Sequence, residues 1–343
     1  MSKAPRVSVG LPVYNSEAYV AESVESVLGQ SYEDFELVIS DNASTDGTGD
    51  ICLRYARADP RVRYIRQPRN IGLSPNHNFV LRQSRGELFK WAAADDLYGR
   101  ELLRRCVDAL DDNPRVVLAH AWQAVIDGTR RVTQALEYPL ETDSPSAPRR
   151  LRSLLFGGSG VFEESDGNRH SLVRLDNYGI LRACDEYGVI RADVLRQVAP
   201  LGSYHHADRI VVCELLLRGP FHIVPDWLYF RREYPDRSYN KSPAMRDRCA
   251  ILDPARANRL RHPAARLLAE YMWGYLAAVR HAPLPTADRR ECYRQIALWA
   301  LDRVSCKVRQ RPLQHIDTRV SELFDDGSFS LRSAVAGPRE AAE

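Results

Sequence analysis

The sequence predicts an α/β fold: a mainly parallel, doubly wound sheet flanked by helices, with a helical extension at the C-terminus. Short apolar runs rich in β-branched residues alternate with segments whose apolar residues recur at helical spacing over residues 1–126. Most of these runs end at a polar or acidic cluster, and sheets of this kind bind ligands at the carboxyl ends of their strands. The 343 residues also exceed one core of average size, which leaves room for added helices.

The elements of the first half alternate in order. Strands are predicted at Arg6–Leu11, Phe35–Ser40, Val62–Ile65, Leu88–Ala92 and Val116–Ile126. Helices are predicted at Ser16–Leu28, Asp50–Ala58, Pro75–Gln83 and Glu101–Leu110. Because a crossover helix between two strands makes them parallel, this order indicates a doubly wound sheet.

The pattern weakens from residue 138 to 170, where three prolines and a glycine-rich patch favour a mobile insertion or lid. Beyond it the predicted elements are a strand at Tyr187–Ile190, helices at Ala192–Val198 and Ala207–Arg218, a strand at Phe221–Val224, a charged loop at Phe230–Ser238, and helices at Ala255–Arg280 and Thr286–Arg309. We therefore expect one domain over residues 1–240, with halves at 1–126 and 127–240. A helical region at 241–332 and a disordered tail at 333–343 complete the chain.

Composition limits the function classes. The net charge of +3 is small and spread along the chain, which disfavours wholesale nucleic-acid binding. The seven cysteines are widely separated and include no C-x-x-C pair, as in reduced intracellular proteins. With no signal-peptide pattern and no apolar run near the roughly 20 residues of a membrane span, we expect a cytoplasmic protein. Arginine, tryptophan and leucine in the C-terminal helices leave peripheral membrane contact or a homodimer open.

Three segments together carry a family resemblance: Val7–Asn15, the loop Asp41–Thr48, and the pair Asp95 and Asp96. They resemble glycosyltransferase family 2, whose fold is called GT-A, over residues 7 to about 126, with a weaker similarity from 187 to 238. The resemblance implies an inverting enzyme that moves a sugar from a nucleotide diphosphate donor to an acceptor hydroxyl. The acceptor could be a polysaccharide, a lipid-linked sugar or a natural-product scaffold. The implied cofactor is Mg²⁺ or Mn²⁺.

The donor needs a stacking surface for its base and polar groups for its ribose. Tyr14, just beyond the first strand, can supply the stacking face, and Asp41 resembles the family's acid that reads the base. Asp46 and Gly47 resemble the turn that completes the loop, although helix capping explains Asp46 equally well. The nucleotide-binding residues that the resemblance implies are Pro12, Tyr14, Asn15, Glu17, Asp41 and Asp95.

Asp95 and Asp96 follow a predicted strand and resemble the family's acidic metal motif. Carboxylate oxygens suit Mg²⁺ or Mn²⁺, which also takes ligands from substrate phosphates. We expect Asp96 to bind the ion and Asp95 to support the ion or the ribose. The fuller motif has an acid two positions before Asp95, where this chain has Ala93. The alternative is that the two acids only cap the helix that follows.

The second half should supply a general base. Asp208, which opens an apolar helix, resembles the family's base, with His205 and His206 as rivals because imidazole titrates near neutral pH. Arg231, Arg232 and Arg237 lie where the family often closes a loop over the diphosphate, and arginine suits phosphate oxygens. A solvated charge cluster is the alternative explanation.

Two other functions compete with a transferase. A sugar nucleotidyltransferase would need a glycine- and lysine-rich loop after the first strand, which Leu11–Glu17 lacks. A degenerate GT-A module that binds sugar nucleotide or glycan without catalysis is conceivable because of Ala93. The sequence identifies neither the donor's base and sugar nor the acceptor.

Overall fold

The structure, a computed structural model, describes residues 4–136, 140–156, 185–204, 206–237 and 244–305. Within these residues nine strands form one sheet. In chain order the strands are β1 (Val7–Val13), β2 (Phe35–Asp41), β3 (Val62–Arg66), β4 (Leu88–Trp91), β5 (Leu97–Tyr98), β6 (Leu118–Ile126), β7 (Val132–Leu136), β8 (Val189–Arg191) and β9 (Phe221–Arg232). The helices are α1 (Val20–Leu28), α2 (Thr48–Ala58), α3 (Leu73–Gln83), α4 (Leu102–Asp112), α5 (Ala147–Phe156), α6 (Ala192–Leu195), α7 (Ala207–Arg218), α8 (Met245–Leu252), α9 (Ala264–His281) and α10 (Thr286–Ser305).

The first half of the sheet is parallel, and its inner strands are buried. β1 pairs in parallel with β2 and with β4, and β2 pairs in parallel with β3. Strands covered on both faces are nearly all apolar in sequence, and every residue of β2 is buried. The predicted α/β fold is therefore confirmed. The carboxyl ends of β1, β2 and β4 meet at one edge of the sheet.

The second half makes the sheet mixed. β8 is antiparallel to β4 on one side and to β6 on the other, while β6 and β9 are parallel. The strand order is β3-β2-β1-β4-β8-β6-β9-β5, and β7 pairs with β6. The sequence predicts a strand near residue 190 but not its direction, because direction depends on partners that are distant in the chain.

β9 continues well beyond its predicted end at Val224. Pro225 suggests a stop because proline cannot donate a hydrogen bond to a ladder. Instead, the register between β6 and β9 shifts on both sides of Trp122, and the strand continues to Arg232. Such a bulge accommodates extra residues in one strand. The predicted charged loop is therefore wrong at residues 230–232, and Ser238 lies outside the described residues.

Helices cover the sheet through two hydrophobic clusters. Leu88 belongs to one cluster and its neighbour Phe89 to the other, and adjacent strand residues point to opposite faces. The first cluster includes side chains of α1, α2 and α4, and the second includes side chains of α5, α7, α9 and α10. Every residue of α7 from Arg209 to Leu217 is buried. The C-terminal helices thus contribute to the core of the main domain.

Several helices differ from the prediction. α5 lies inside the expected insertion at about 138–170, and its Leu151, Leu154 and Leu155 are buried in the core. Residues 157–170 of that insertion and the expected tail at 333–343 lie outside the described residues. The helix expected from Ala255 begins only after Pro263, and α8 is an additional helix. None of the helices in the described ranges combines the length and apolar character needed to span a bilayer.

Candidate functional site

The loops that follow β1 and β2 are joined by hydrogen bonds. Asn15, whose φ of 47° lies in the left-handed region, accepts a hydrogen bond at Oδ1 from the Thr45 amide at 2.8 Å. The Asn15 amide in turn donates to Ser44 Oγ at 3.0 Å. The Ser16 amide donates to Thr48 Oγ1 at 2.7 Å. These bonds hold the two loops in a fixed relation at the edge of the sheet.

Glu17 and Asp46 strengthen the same junction. Glu17 Oε2 accepts from the Gly47 amide at 2.7 Å, and Asp46 Oδ2 accepts from the Glu17 amide at 3.2 Å. Asp46 Oδ1 also accepts from the Thr48 amide at 3.0 Å, at the start of α2. Burial raises the pKa of Asp46, but hydrogen bonds from Thr48 and Glu17 outweigh it and leave the pKa below its ordinary value. The structure therefore gives Asn15, Glu17 and Asp46 bonds that organise the loops.

Tyr14 is the residue of this junction whose ring faces solvent. Its exposed fraction is 45%, although large aromatic rings are usually mostly buried. Pro12 lies in β1 and is half-buried. The predicted stacking surface is thus accessible at the end of the first strand.

Asp41 is fully buried at the end of β2, and both its oxygens have partners within the protein. Oδ1 accepts from the Ser44 amide at 2.8 Å. Oδ2 accepts from Tyr64 Oη at 2.7 Å and from Arg66 Nη1 at 2.6 Å. The Arg66 guanidinium, at the end of β3, has a side-chain exposure of 49%. Sequence analysis missed Arg66; its position at a strand end was the available signal.

Asp96 is enclosed by β9. Its Oδ2 accepts from Tyr229 Oη at 2.5 Å and its Oδ1 from the Arg232 amide at 2.9 Å. Burial is the main cause that raises the pKa of Asp96, and the charge of Asp95 adds to it, while Arg237 and the two hydrogen bonds act in the opposite direction. Asp96 is completely buried, and each of its two oxygens accepts one hydrogen bond.

Asp95 turns the other way. Its side chain is 19% exposed and faces Arg237, whose Nε lies 3.5 Å from Asp95 Oδ2. Tyr234 Oη donates to the same oxygen at 3.2 Å. Burial lowers the pKa of Arg237, but the charges of Asp95 and Asp96 outweigh it and raise the pKa above the ordinary value. Of the adjacent acids, Asp95 is the one that reaches the surface.

The three predicted diphosphate arginines differ in placement. Arg232 is completely buried: Nη2 donates to Glu22 at 2.6 Å, and Nε donates to the Asp95 carbonyl at 2.8 Å. This burial disagrees with the exposed loop position expected from the sequence. Arg231 is also buried and lies 3.3 Å from Glu233. Arg237 is therefore the arginine of the three that directly faces both acids.

Asp208 lies half-buried in the first turn of α7. His206 precedes it with a left-handed φ of 59°, and Asp208 Oδ1 accepts from the Arg209 amide at 2.9 Å. Burial raises the pKa of Asp208, and the charges of Arg209 and Arg231 oppose this shift. The His206 ring lies against Tyr271, with 5.5 Å between centroids, and His205 is outside the described residues.

Glu186 is a second carboxyl near Asp208 that sequence analysis missed. It is nearly fully buried in a short 3₁₀ turn, Asp185–Tyr187. Burial, followed by the charges of Asp208 and Asp185, raises the pKa of Glu186 well above its ordinary value. The only sequence signal was an acidic pair just before a strand. Burial and these charges favour the protonated form of Glu186.

Within the described ranges, no group of three or more His, Cys, Asp and Glu side chains is arranged to hold a metal ion. The arrangement can nevertheless offer an aromatic surface at Tyr14, a carboxylate beside a guanidinium at Asp95 and Arg237, and a carboxyl with a raised pKa at Asp208. A ligand with a flat ring and an anionic centre suits the first two.

A family model described as Glycosyl transferase family 2 matches residues 8–198. Among curated proteins, EpsE of Bacillus subtilis, which is named as a glycosyltransferase, is 34% identical over 128 residues, which cover 37% of this chain and 46% of EpsE. TuaG of B. subtilis, named for teichuronic acid biosynthesis, is 35% identical over 101 residues, covering 29% of this chain and 40% of TuaG. The chain thus spans less than half the length of these relatives.

Solved structures share the fold. S. aureus TarS 1–349 in complex with UDP has a TM-score of 0.54 at 16% identity, covering 88% of this chain and 72% of that one. The same protein with UDP-GlcNAc has a TM-score of 0.52 at 14% identity, covering 91% and 99%. At this identity the likeness concerns the fold.

Proposed function

Because the chain belongs to glycosyl transferase family 2, we propose that it is an inverting glycosyltransferase that passes a sugar from a nucleotide diphosphate donor to an acceptor hydroxyl. The observation that carries the proposal is the meeting of Asp95 and Arg237 at the edge of the sheet. A carboxylate suits a divalent cation, and a guanidinium suits phosphate oxygens. A diphosphate with its bound metal ion offers a cation to Asp95 and phosphate oxygens to Arg237.

For the nucleoside, the proposal relies on the Tyr14 ring and on the exposed Arg66 guanidinium. Asp41 is too enclosed to touch a base directly, so in this proposal it fixes Arg66 and the loop at Ser44. Asn15 and Glu17 keep the neighbouring loop in place, and Pro12 supports it from β1. Because the TarS structures hold UDP and UDP-GlcNAc, UDP is the first nucleotide to test, followed by GDP and dTDP.

The residues present fit Mg²⁺ or Mn²⁺ in one limited way. Asp95 offers a partly exposed carboxylate, whereas Asp96 is completely buried. We therefore assign the ion to Asp95. In this proposal Asp96 instead fixes the turn between β4 and β5 through its hydrogen bonds to β9. An ion that takes most of its ligands from phosphates and water needs few protein carboxylates. When bound, it would neutralise charge on the departing diphosphate.

Asp208 is proposed as the general base for the acceptor hydroxyl. Burial raises its pKa, and a base whose pKa approaches the working pH is more effective in proton transfer. Glu186, whose pKa is raised partly by Asp208, would keep a proton within the same cluster. The acceptor class remains that of the family resemblance: a polysaccharide, a lipid-linked sugar or a natural-product scaffold.

A binding module without catalysis is the second candidate, and Ala93 favours it because the fuller acidic motif has a carboxylate there. The two candidates agree on nucleotide binding and differ in turnover. Slow hydrolysis of a bound sugar nucleotide, measured as release of free nucleoside diphosphate, would distinguish them. A transferase usually hydrolyses its donor slowly when no acceptor is present. A protein that binds the donor and releases none of it would favour the module.

The main test is titration calorimetry of UDP, GDP and dTDP with Mn²⁺ or with EDTA. Asp95→Asn should weaken the metal-dependent binding about 10- to 100-fold, since a contact to a charged group contributes about 1.5–3 kcal/mol. Asp108→Asn, an exposed acid on α4, is the matched control and should bind as the parent does. If the parent binds none of the three nucleotides, or if Asp95→Asn binds as tightly as the parent, the proposed site is wrong.

A further inference from the structure

One side of α9 is exposed and unusual in composition. Arg266, Ala269, Trp273, Ala277 and Arg280 are spaced by three or four residues, which places them on one side of a helix. The opposite side is buried in the core through residues such as Tyr271 and Tyr275. Trp273 is 62% exposed. A tryptophan therefore lies on the surface between two arginines, and we call this surface the Trp273 face.

The segment before the helix extends this face. Leu260 is 94% exposed and lies between Arg259 and Arg261, which are also exposed. Arg266 Nη1 donates a hydrogen bond to the Arg261 carbonyl at 2.8 Å. The loop is thus tied to the side of α9 that carries Arg266, and it adds a second exposed apolar side chain near two further cations.

The surrounding charge is positive. Residues 244–305 contain eleven arginines and six acidic residues. Glu270, on α9, accepts hydrogen bonds from both Arg256 and Arg266, so these three side chains together keep a net charge of one positive unit. By contrast, the whole chain carries a net charge of only +3. The excess of cations is therefore concentrated around these helices.

We propose that the Trp273 face binds the surface of a membrane that contains anionic lipids. Tryptophan is favoured at the level of lipid headgroups, where its apolar ring and its N–H are both satisfied. Arginines beside it attract anionic headgroups and donate to their phosphates. Leu260, which is 94% exposed, would add a second apolar contact.

Charge also argues against a second copy of the chain as the occupant. A two-fold dimer through this face would bring identical surfaces together. Arginines would then lie opposite arginines, and such like-charge contacts are unfavourable. An anionic surface removes this repulsion and is complementary to the face.

The test uses the full chain and vesicles of phosphatidylcholine, with or without phosphatidylglycerol. We expect sedimentation with the anionic vesicles only, weakened by salt. Lipids brominated in the acyl chains should quench the fluorescence of Trp273, because the other four tryptophans are buried or half-buried. The double variant Arg266→Gln/Arg280→Gln should bind about 25-fold more weakly, since each cation near such a surface contributes about fivefold.

Two further variants complete the design. Trp273→Ser should lose the quenching and most of the binding while keeping the parent melting temperature, since the side chain is exposed. Arg54→Gln/Arg57→Gln on α2 removes the same charge elsewhere and should bind as the parent does. Failure of the parent to bind anionic vesicles would overturn the proposal, as would equal loss in the α2 variant. Sedimentation equilibrium that shows a dimer abolished by Trp273→Ser, with no vesicle binding, would instead assign the face to self-association.

Discussion

Asp95 and Asp96 are neighbours in the chain, yet their carboxylates meet different environments. Asp96 points into β9, where Tyr229 and the Arg232 amide occupy its oxygens. Asp95 points to the edge of the sheet, where Arg237 and Tyr234 meet one oxygen. Asp95 lies in the turn between β4 and β5, whereas Asp96 directly precedes β5, which pairs with β9. An enclosed acid stabilises the turn, and a partly exposed acid is available to a ligand.

The same contrast separates Tyr14 from Asp41. Tyr14→Ala should weaken nucleotide binding about 5- to 100-fold, because stacking of a base on an aromatic ring contributes about 1–3 kcal/mol. Its melting temperature should stay near that of the parent, since the ring is exposed. Asp41→Ala should instead lower the melting temperature, because it leaves Tyr64 and Arg66 without their buried acceptor.

Calorimetry and thermal unfolding of both variants test this division. The kinetic counterpart for Tyr14→Ala is a raised donor KM with kcat nearly unchanged, as expected when uniform binding is lost. Parent-like nucleotide affinity in Tyr14→Ala would place the base elsewhere. Parent-like stability in Asp41→Ala would mean that its hydrogen bonds are not structural.

Glu186 predicts a pH dependence of stability. Its pKa is raised by burial and by the neighbouring acids, so the fold favours the protonated form. The stability from this group is complete below the unfolded-state pKa and is lost as the pH rises toward the folded-state pKa. Glu186→Gln has no such loss. The melting temperature of the variant, relative to that of the parent, should therefore rise from pH 5 to pH 8. A tenfold difference in proton affinity between the folded and unfolded chain corresponds to about 1.4 kcal/mol of stability.

The control for this measurement is Glu33→Gln, an exposed acid before β2. It should follow the parent across the same pH range. If the Glu186→Gln and parent melting curves run parallel from pH 5 to pH 8, Glu186 titrates at its ordinary value.

At the scale of elements, local periodicity predicted the first half well. β1, β2 and β4 are buried almost throughout and are therefore apolar runs in the sequence, and α1 to α4 show helical spacing. α5 escaped prediction because prolines and arginines interrupt its pattern. Its Arg150 is nonetheless buried, donating from Nε to the Leu216 carbonyl at 2.7 Å. Burial lowers the pKa of Arg150 to about 10. A buried, hydrogen-bonded arginine cannot be recognised from sequence spacing.

The candidate site was predictable in its chain positions but not in its contacts. Strand ends indicated Tyr14, Asp41 and Asp95 as residues at one edge. The enclosure of Asp96 depends on β9, which is distant in the chain and continues past Pro225 only because of the bulge. Glu186 and Arg66 acquire their surroundings from tertiary packing, so their positions near strands gave only a weak signal and did not predict their contacts.

Gly72 lies where the start of α3 closely approaches the end of α8, so its substitution should destabilise the fold. It precedes α3 with a φ of 91°, and an added Cβ would lie 2.6 Å from the Leu252 carbonyl oxygen at the end of α8. Gly72→Ala should lower the free energy of unfolding by about 1–3 kcal/mol, the usual cost of such strain. Gly128→Ala, whose added Cβ would meet only Tyr19 Oη at 3.3 Å, should cost less. Urea unfolding compares them, and equal midpoints would contradict the prediction.

At the scale of the whole molecule, the proposed reaction divides between the two halves of the sheet. Tyr14, Asp41 and Asp95 belong to the half around β1, β2 and β4, whereas Asp208 and Glu186 belong to the half around β8 and α7. Arg231 connects them, since it follows Phe230 of β9, which pairs with Leu97 next to Asp96, and its charge acts on Asp208. Donor binding and proton removal should therefore be separable by mutation.

Asp208→Asn tests that separation. It should keep nucleotide and Mn²⁺ affinity by calorimetry, because no donor contact is removed. Transfer should fall about 10²- to 10⁴-fold, the usual cost of losing a general base. In the parent, transfer should decline as the pH falls, with a midpoint above the ordinary value of 3.8, because burial raises the pKa of Asp208 and only the ionised form accepts a proton. His206→Ala is the comparison, and it should retain most of the transfer rate. If Asp208→Asn turns over near the parent rate while His206→Ala does not, the imidazole is the base and Asp208 only begins the helix.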